Sequence, residues 1–270
     1  MYYQLAAEPY LGIFVKGSFV ALIIFIIYAI LVYFFIQRAR AGLPIPTIRK
    51  IAGLEALDEA IGRATEMGRP VNYVPGIAGS SNMQTIASYA MLGHVAKRTA
   101  QYDTRFIFTC ADPIVLPIAE EIIRQSYLEA GRPDAYNPDD VRFLSDWQFG
   151  YCSGVLGIYH RERPAANILF GAFWAESLIF AEEGNRTGSI QIGATANMHQ
   201  IPFFVAACDY ALIGEEMYAA SAYLSKEPVL YGTVVSQDWM RIGFFAVIIV
   251  GTIFQLIQGK ANVITSIFSK

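Results

Sequence analysis

Apolar and polar residues alternate in short blocks through the middle of the chain, and one long apolar run lies toward each end. Brief apolar stretches bounded by polar or glycine-containing turns predict buried strands. They fall at residues 71–74, 105–109, 141–144, 166–171, 190–193, 203–207 and 229–235. The intervening segments have helical periodicity, and the predicted helices cover residues 54–67, 83–102, 114–130, 146–160, 176–183 and 214–224. Strands that alternate with helices are typical of a parallel sheet covered on both faces. The pattern therefore predicts an α/β, Rossmann-like fold.

The first long apolar run covers residues 19–36 and contains no charged side chain. At 1.5 Å per residue a helix of this length spans about 27 Å, close to the hydrocarbon thickness of a bilayer. Lys16 precedes the run, and basic residues from Arg38 to Lys50 follow it. This bias predicts a retained membrane anchor whose C-terminal side faces the cytoplasm, rather than a cleaved signal peptide.

The second apolar run, residues 242–257, is shorter and begins close to Trp239, a residue type that favours the bilayer interface. A buried amphipathic helix is the alternative, but the run is apolar nearly all round, which favours a second span. The predicted organisation is an extracytoplasmic segment, a first span, a cytoplasmic α/β domain, a second span and an extracytoplasmic or interfacial tail. Their bounds are residues 1–18, 19–37, 41–238, 240–258 and 259–270.

Composition agrees with a membrane protein that carries a water-exposed domain. Only 16% of the 270 residues are charged, and the mean hydropathy is +0.38. The net charge of −3 argues against a nucleic-acid partner, which requires a basic face. Cys110, Cys152 and Cys208 form no CxxC or metal-binding spacing, so we expect reduced thiols in the cytoplasm.

Candidate chemistry gathers in the loops that follow the predicted strands. In open α/β sheets, ligands bind outside the carboxyl ends of the strands. The polar residues at these positions are Ser80, Ser81, Asn82, Cys110, Asp112, Asp146, Glu176, Thr195, Asn197, His199, Cys208, Asp209, Glu215 and Glu216. From this set and the preceding turn, the candidate cofactor-binding residues are Gly76, Gly79, Ser80, Ser81, Asn82, Asp112, Thr195 and Asn197. The sequence identifies no particular cofactor.

The glycine-rich loop from Gly76 to Asn82 leads into a predicted helix and allows two interpretations. Backbone N–H groups at a helix N-terminus can hold a phosphate, although the loop is neither GxGxxG nor a P-loop. The alternative, which we favour, is a tight turn in which Ser81 caps the helix and Gln84 completes a capping box.

His199 and Asp209 are the candidate catalytic residues, as an acid–base pair of a hydrolase-like enzyme. No HxxxH or HxH spacing supports a metal, and a surface histidine is the more common explanation. Cys110 and Cys208 each lie near an aspartate, which raises a thiol pKa. We therefore interpret both cysteines as small buried residues.

Several segments resemble one family. They are AGLEALDEAIGRATEMGRPV at residues 52–71, AGRPDAYNPDDV at 130–141, PAAN at 164–167, AES at 175–177 and IPFFVAACDYALIGEEMYAASAYLS at 201–225. Over residues 52–232 the chain resembles a family of prokaryotic membrane-anchored proteins defined by a domain of unknown function. The resemblance implies a membrane-tethered cytoplasmic domain and transfers no activity, ligand or catalytic residue.

Three functions remain open at this point. The first is a structural or scaffold subunit of a membrane-bound oligomer, since anchoring raises the effective concentration of lateral contacts with itself or with other membrane subunits. The second is a membrane-tethered sensor for a nucleotide or other anionic metabolite. The third is a hydrolase that uses His199 and Asp209. The predicted partners are therefore the lipid bilayer and other subunits, with no nucleic acid.

Overall fold

The computed structural model describes residues 9–10, 14–15, 18–43, 52–225 and 227–258. The chain divides into two compact units. One is Arg49–Lys226, and the other combines Met1–Ile48 with Glu227–Lys270.

The Arg49–Lys226 unit contains a six-stranded sheet in which every neighbouring pair of strands is parallel. Its strands are β1 (Val71–Gly76), β2 (Phe106–Cys110), β3 (Val141–Phe143), β4 (Ala166–Ala172), β5 (Ile190–Thr195) and β6 (Tyr210–Ile213). The spatial order is β3-β2-β1-β4-β5-β6. This is the strand order of the Rossmann fold, so the predicted fold class is confirmed.

The helices of the described residues follow in chain order. They are α1 (Ser18–Arg40), α2 (Ala52–Met67), α3 (Met83–Gln101), α4 (Val115–Glu129), α5 (Gln148–Glu162), α6 (Glu176–Arg186), α7 (Ile201–Ala207), α8 (Glu215–Ser225) and α9 (Pro228–Gln258). Two 3₁₀ turns, Pro133–Ala135 and Pro138–Asp140, precede β3, and two-residue strands at Pro9–Tyr10 and Phe14–Val15 pair antiparallel.

Apolar layers cover both faces of the sheet. Tyr73 and Phe108 belong to the layer shared with α2, α3, α4 and α8. Val74 and Leu169 belong to the layer shared with α5, α6 and α7. All residues of β1, β2 and β4 are buried, as expected for parallel strands that helices cover on both sides.

Two glycines allow β1 and β4 to approach closely near their carboxyl ends. Gly76 has a φ of 85°, which residues with a side chain rarely adopt, and a Cβ there would overlap the backbone of Ala172. A Cβ on Gly171 would overlap the carbonyl of Pro75. Because the two backbones are in contact here, β1 and β4 end side by side on the sheet.

Two strand predictions were wrong. Residues 203–207 lie within helix α7, where Pro202 occupies the first turn and needs no backbone donor. A short apolar run does not distinguish a strand from a helix, and the strand of this region is β6, which the sequence analysis missed. Residues 229–235 are part of α9, which begins at Pro228 and continues without a break into the apolar run.

The terminal unit contains the two candidate membrane helices. Among the described residues, Ala21–Arg40 and Pro228–Ile253 are long and apolar enough to cross a membrane. Phe35 and Trp239 stack with ring centroids 6.3 Å apart. A Cβ on Gly232 would lie 2.8 Å from the backbone nitrogen of Ile36. The helices are therefore packed against each other at a small residue, as is common for pairs of spans.

Candidate functional site

The order of the strands reverses between β1 and β4, and the loops that follow these strands, residues 77–82 and 173–175, leave at the same edge of the sheet. In open α/β sheets this switch point is where ligands bind. The loops that follow β2, β3 and β5 lie at the same carboxyl edge. The candidate site therefore lies along this edge.

The carboxylate of Asp112 holds the glycine-rich loop after β1 in place through a hydrogen bond. Ser80 N–H donates to Asp112 Oδ2 with an N–O distance of 2.9 Å, and Ile114 N–H donates to Asp112 Oδ1 at 2.8 Å. A Cβ on Gly79 would lie 3.3 Å from Asp112 Oδ2. A negative charge at this position repels an incoming phosphate. The geometry therefore disfavours anion binding by this loop.

The helix cap differs from the expected one. Asn82, not Ser81, is the N-cap of α3, and Asn82 Oδ1 accepts the backbone N–H of Gln84 at 2.9 Å. The predicted capping box is absent because the Gln84 side chain points away from the cap. Asn82 is one of the candidate cofactor-binding residues, and in the structure its side chain caps α3.

Gln84, in the first turn of α3, bonds to the end of β5 and the loop after it, and Asn197 extends this contact to the loop after β4. Its Oε1 accepts from Ala196 N–H at 2.8 Å and from Thr195 Oγ1 at 3.2 Å, and its Nε2 donates to Asn197 Oδ1 at 3.0 Å. Asn197 Nδ2 donates in turn to Phe173 O at 2.6 Å. The structure thus brings the candidates Thr195 and Asn197 together with Gln84. All of their bonds fix loop positions, so the cluster sets the shape of the edge.

His199 and Asp209 lie at opposite edges of the sheet. His199 is exposed in the loop after β5, at the carboxyl edge. Asp209 immediately precedes β6 and accepts the backbone N–H of Gln191, the second residue of β5, with a distance of 2.7 Å. It was expected at a carboxyl end only because residues 203–207 were interpreted as a strand. The structure does not bring the two residues together as an acid–base pair.

The cysteines are free thiols in poorly solvated positions. Burial, followed by the charge of Asp112, raises the pKa of Cys110 to about 12. Burial and Asp209 raise the pKa of Cys208 to about 12, and burial raises that of Cys152 to about 11. Within the described residues, no three His, Cys, Asp or Glu side chains come together as a metal site requires.

Glu176 is a fully buried carboxylate at the start of α6, and its role was not foreseen. Its Oε1 accepts Trp174 N–H at 2.9 Å, and its Oε2 accepts Gln148 Nε2 at 2.6 Å. The carboxylate therefore ties the loop after β4 to the first turn of α5. Its place at a helix N-terminus also favours the negative charge. The effect is to hold Trp174 and Gln148 on the rim of one groove.

That groove is shallow, mostly apolar and about 740 Å³ in volume. Its lining includes Ile77, Gln148, Trp174, Leu178, Gln200 and Phe203, which come from the loops and first turns after β1, β3, β4 and β5. Amide groups are its polar component. Among the residues that the structure describes, no carboxylate or basic side chain lines it.

Large apolar side chains stand exposed on the loops and first turns that form the groove. We define the apolar collar as Trp147, Phe149, Trp174, Leu178, Met198 and Phe203. Met198 is 80% exposed and Trp147 66%, and the rings of Trp147 and Phe149 meet edge to face at 5.9 Å. Single exposed apolar residues are ordinary, whereas six large ones on the loops and first turns of one edge make that edge a candidate interaction site. The sequence pattern placed these residues in helices and loops but could not show that they converge.

A second cavity, about 420 Å³ in volume, lies at the amino edge near β2 and β3. Four of its five charged residues form two ion pairs: Arg105 NH2 pairs with Asp140 Oδ1 at 2.7 Å, and Arg132 NH2 pairs with Asp103 Oδ1 at 2.6 Å, while Asp134 is exposed. The charges of the two pairs are therefore already compensated, and the carboxyl edge remains the stronger candidate.

Comparison with known families supplies a match over most of the chain. A family model for a domain of unknown function, DUF6754, covers residues 9–267. The chain belongs to the DUF6754 family. The match extends beyond the resemblance seen over residues 52–232 and includes both apolar terminal helices. The DUF6754 description gives no activity, so it assigns no role to the collar. No curated protein and no solved structure matches this DUF6754 chain.

Proposed function

We propose that this chain is a membrane-anchored interaction subunit. In this proposal α1 and α9 cross the bilayer, and the Rossmann-like unit lies in the cytoplasm, where its apolar collar binds a protein partner. The observation that carries the proposal is the collar itself, in which exposed aromatic and aliphatic side chains stand on the loops and first turns that form a shallow apolar groove. Aromatic residues and methionine are enriched in protein interfaces, and a few such anchors supply most of the binding energy.

The carboxyl edge gives little support to the sensor function or to the hydrolase function. The carboxylate of Asp112 binds the glycine-rich loop that a phosphate-binding sensor would use, and His199 is remote from Asp209 because they lie at opposite edges of the sheet. A protein-binding surface needs neither a phosphate-binding loop nor an acid–base pair. The scaffold function favoured by composition is therefore narrowed to a subunit that assembles through the carboxyl edge.

The cytoplasmic placement of the Rossmann-like unit rests on the basic residues at the end of α1. Arg38 and Arg40 lie in the last turn of α1, and basic residues accumulate on the cytoplasmic side of a span. A cysteine introduced at the exposed Asp134 tests the placement with a membrane-impermeant maleimide. We expect labelling in inverted vesicles and none in right-side-out vesicles, and the reverse pattern would contradict the proposal.

Photo-crosslinking in native membranes tests the docking function. A photoreactive phenylalanine at Trp174 or Phe203 would probe the collar, and the same group at Tyr102, exposed at the other edge, is the matched control. We expect an adduct of one defined mass from the collar positions only. The protein in that adduct, identified by mass spectrometry and purified, should bind the full chain and lose binding to the Trp174→Ser variant. Equal adducts at Tyr102, or binding that survives Trp174→Ser, would contradict the proposal.

A further inference from the structure

The carboxyl edge of the sheet lacks positive charge. The loops that leave it contain no lysine and no arginine, and they comprise residues 77–82, 111–114, 144–147, 173–175, 196–200 and 214. By contrast, Arg69, Arg105, Arg132 and Arg163 all lie in loops that enter strands at the amino edge. The distribution of basic residues thus divides the unit into one edge with arginines and one edge without.

Acidic residues lie on the loops and first turns of the same carboxyl edge. Asp146 is exposed beside Trp147 and makes no hydrogen bond or ion pair with the described part of the chain. Asp112 lies in the neighbouring loop, and Glu215 and Glu216 begin α8 at the same edge. Anionic lipid headgroups attract basic rather than acidic surfaces, which disfavours the bilayer as the occupant. A two-fold contact between two copies would bring like charges together, which is also unfavourable.

These observations define the occupant by its chemistry. We infer that the collar binds a protein segment whose apolar side chains enter the groove and whose flanking residues are lysine or arginine. The inference rests on the proposed docking function and adds the charge of the partner. Complementary charge at an interface selects partners and speeds association, and its contribution falls as salt rises.

Peptide binding to the detergent-solubilised full chain tests this charge preference. Three peptides share one apolar core and differ only in flanks of lysine, serine or glutamate, and the fluorescence of the collar tryptophans reports binding. We expect the lysine-flanked peptide to bind at least about tenfold more tightly than the glutamate-flanked one at low salt. Asp146→Asn should reduce this ratio, whereas Asp134→Asn at the other edge should not.

The outcomes separate the two proposals. Equal affinities for the three peptides, with binding still abolished by Phe203→Ser, would overturn the charge inference and leave the docking function. If all three peptides still bind the Phe203→Ser variant, docking at the collar is contradicted. If anionic vesicles shield the collar tryptophans in the absence of peptide, the occupant is lipid and the inference is overturned. If the collar tryptophans of the chain alone become shielded as its concentration rises, the occupant is a second copy and the inference is also overturned.

A different observation carries a second inference, about the interior of the sheet. Asn72, Asn167 and Gln191 are side-by-side partners on β1, β4 and β5, and all are fully buried. Tyr159 on α5 is also fully buried. Six of their polar atoms have no hydrogen-bond partner in the described part of the chain: the donors Tyr159 OH, Asn72 Nδ2 and Asn167 Nδ2, and the acceptors Asn72 Oδ1, Asn167 Oδ1 and Gln191 Oε1.

Each amide in the row carries one donor and one acceptor group, so donors and acceptors can alternate along it. Gly184 on α6 leaves room for them, since a Cβ there would overlap Gln191 Oε1 and lie 2.9 Å from Asn167 Nδ2. At the far end, Gln191 Nε2 already donates to Ala181 O at 2.6 Å. We infer a continuous ladder, reached by small side-chain rotations, in which Tyr159 donates to Asn72, Asn72 to Asn167, and Asn167 to Gln191. Unpaired buried polar groups are costly, and amide ladders across neighbouring strands have precedent.

Two tyrosine variants test the ladder. Tyr159→Phe removes its first donor, whereas Tyr89→Phe removes another buried hydroxyl without a partner that lies outside the row. We expect Tyr159→Phe to lower Tm by about 2–4 °C and Tyr89→Phe to leave it unchanged or raise it. Asn167→Leu should lower Tm as well. A Tm that Tyr159→Phe and Asn167→Leu leave unchanged or raise would overturn the ladder.

Discussion

The carboxylate of Asp112 accepts the backbone N–H of Ser80 at 2.9 Å, which ties the loop after β2 to the glycine-rich loop after β1. The second carboxylate oxygen accepts Ile114 N–H at 2.8 Å within its own loop. One side chain thus fixes two neighbouring loops at the carboxyl edge. A loop that resembles a phosphate site in sequence is held by an internal anion instead.

Removal of this carboxylate should destabilise the α/β unit. Asp112→Ala leaves two backbone N–H groups without their charged acceptor, at a cost of about 1–3 kcal/mol. Asp134→Ala is the matched control, since Asp134 is exposed and has no bond to the described residues. Thermal unfolding of the detergent-solubilised chain measures both. Equal Tm values for the two variants would contradict the proposed role of Asp112.

The close approach of β1 and β4 predicts a sharp difference between two Gly→Ala substitutions. Gly171→Ala places a methyl group against the carbonyl of Pro75, which cannot move without shifting β1, and we expect a loss of at least about 3 kcal/mol. Gly62→Ala on α2 meets nothing within 4 Å and should be neutral or stabilise the helix by about 0.5–1 kcal/mol. Denaturant unfolding distinguishes them. A tolerated Gly171→Ala would refute the tight contact.

Packing between α1 and α9 should depend on Gly232. Gly232→Leu introduces a side chain against the backbone of Phe35 and Ile36 and should separate the helices near the Phe35–Trp239 stack. Gly243→Leu, where nothing lies within 4 Å, serves as the control. We expect disulfide crosslinking between cysteines placed on α1 and α9 to fall in the first variant only. Unchanged crosslinking in Gly232→Leu would count against the contact.

The buried thiols predict an alkaline limit to stability. The pKa of Cys110 and of Cys208 is about 12 in the folded chain, above the ordinary value of 9.0, chiefly because of burial. Above pH 9 the unfolded chain binds fewer protons at these thiols, so their contribution to stability is complete below pH 9 and is lost as pH rises toward 12. At pH 8 about one thiol in 10⁴ is ionised at such a site, and alkylation by iodoacetamide should be slow until the chain unfolds. Fast alkylation of the folded chain would contradict this.

The sequence predicted the fold class because buried parallel strands read as short apolar runs at regular intervals. It failed at residues 203–207 and 229–235, where apolar runs are equally compatible with helix and only the preceding prolines favour a helix start. The short strand β6 was missed because its four residues, Tyr210–Ile213, do not stand out between two helices.

The site was less predictable than the fold. Position after a strand correctly placed Asp112, Thr195 and Asn197 at the carboxyl edge. The pairing of Asp112 with Ser80 and the role of Gln84 depend on contacts more than 30 residues apart in sequence, which no local pattern reveals. The collar is equally hidden, since Trp147 and Met198 look like isolated apolar residues until the sheet brings their loops to one edge.

Oxidative footprinting of two methionines tests the central claim most directly. Met198 lies in the collar and Met67 at the other end of the unit, and both are exposed, at 80% and 43%. Hydroxyl-radical oxidation is compared in native membranes, after reconstitution of the purified chain into pure lipid, and in detergent. A docked collar predicts that Met198 is protected in native membranes alone, while Met67 reacts alike in all three. Equal oxidation of Met198 in native membranes and in detergent would contradict a protein partner at the collar.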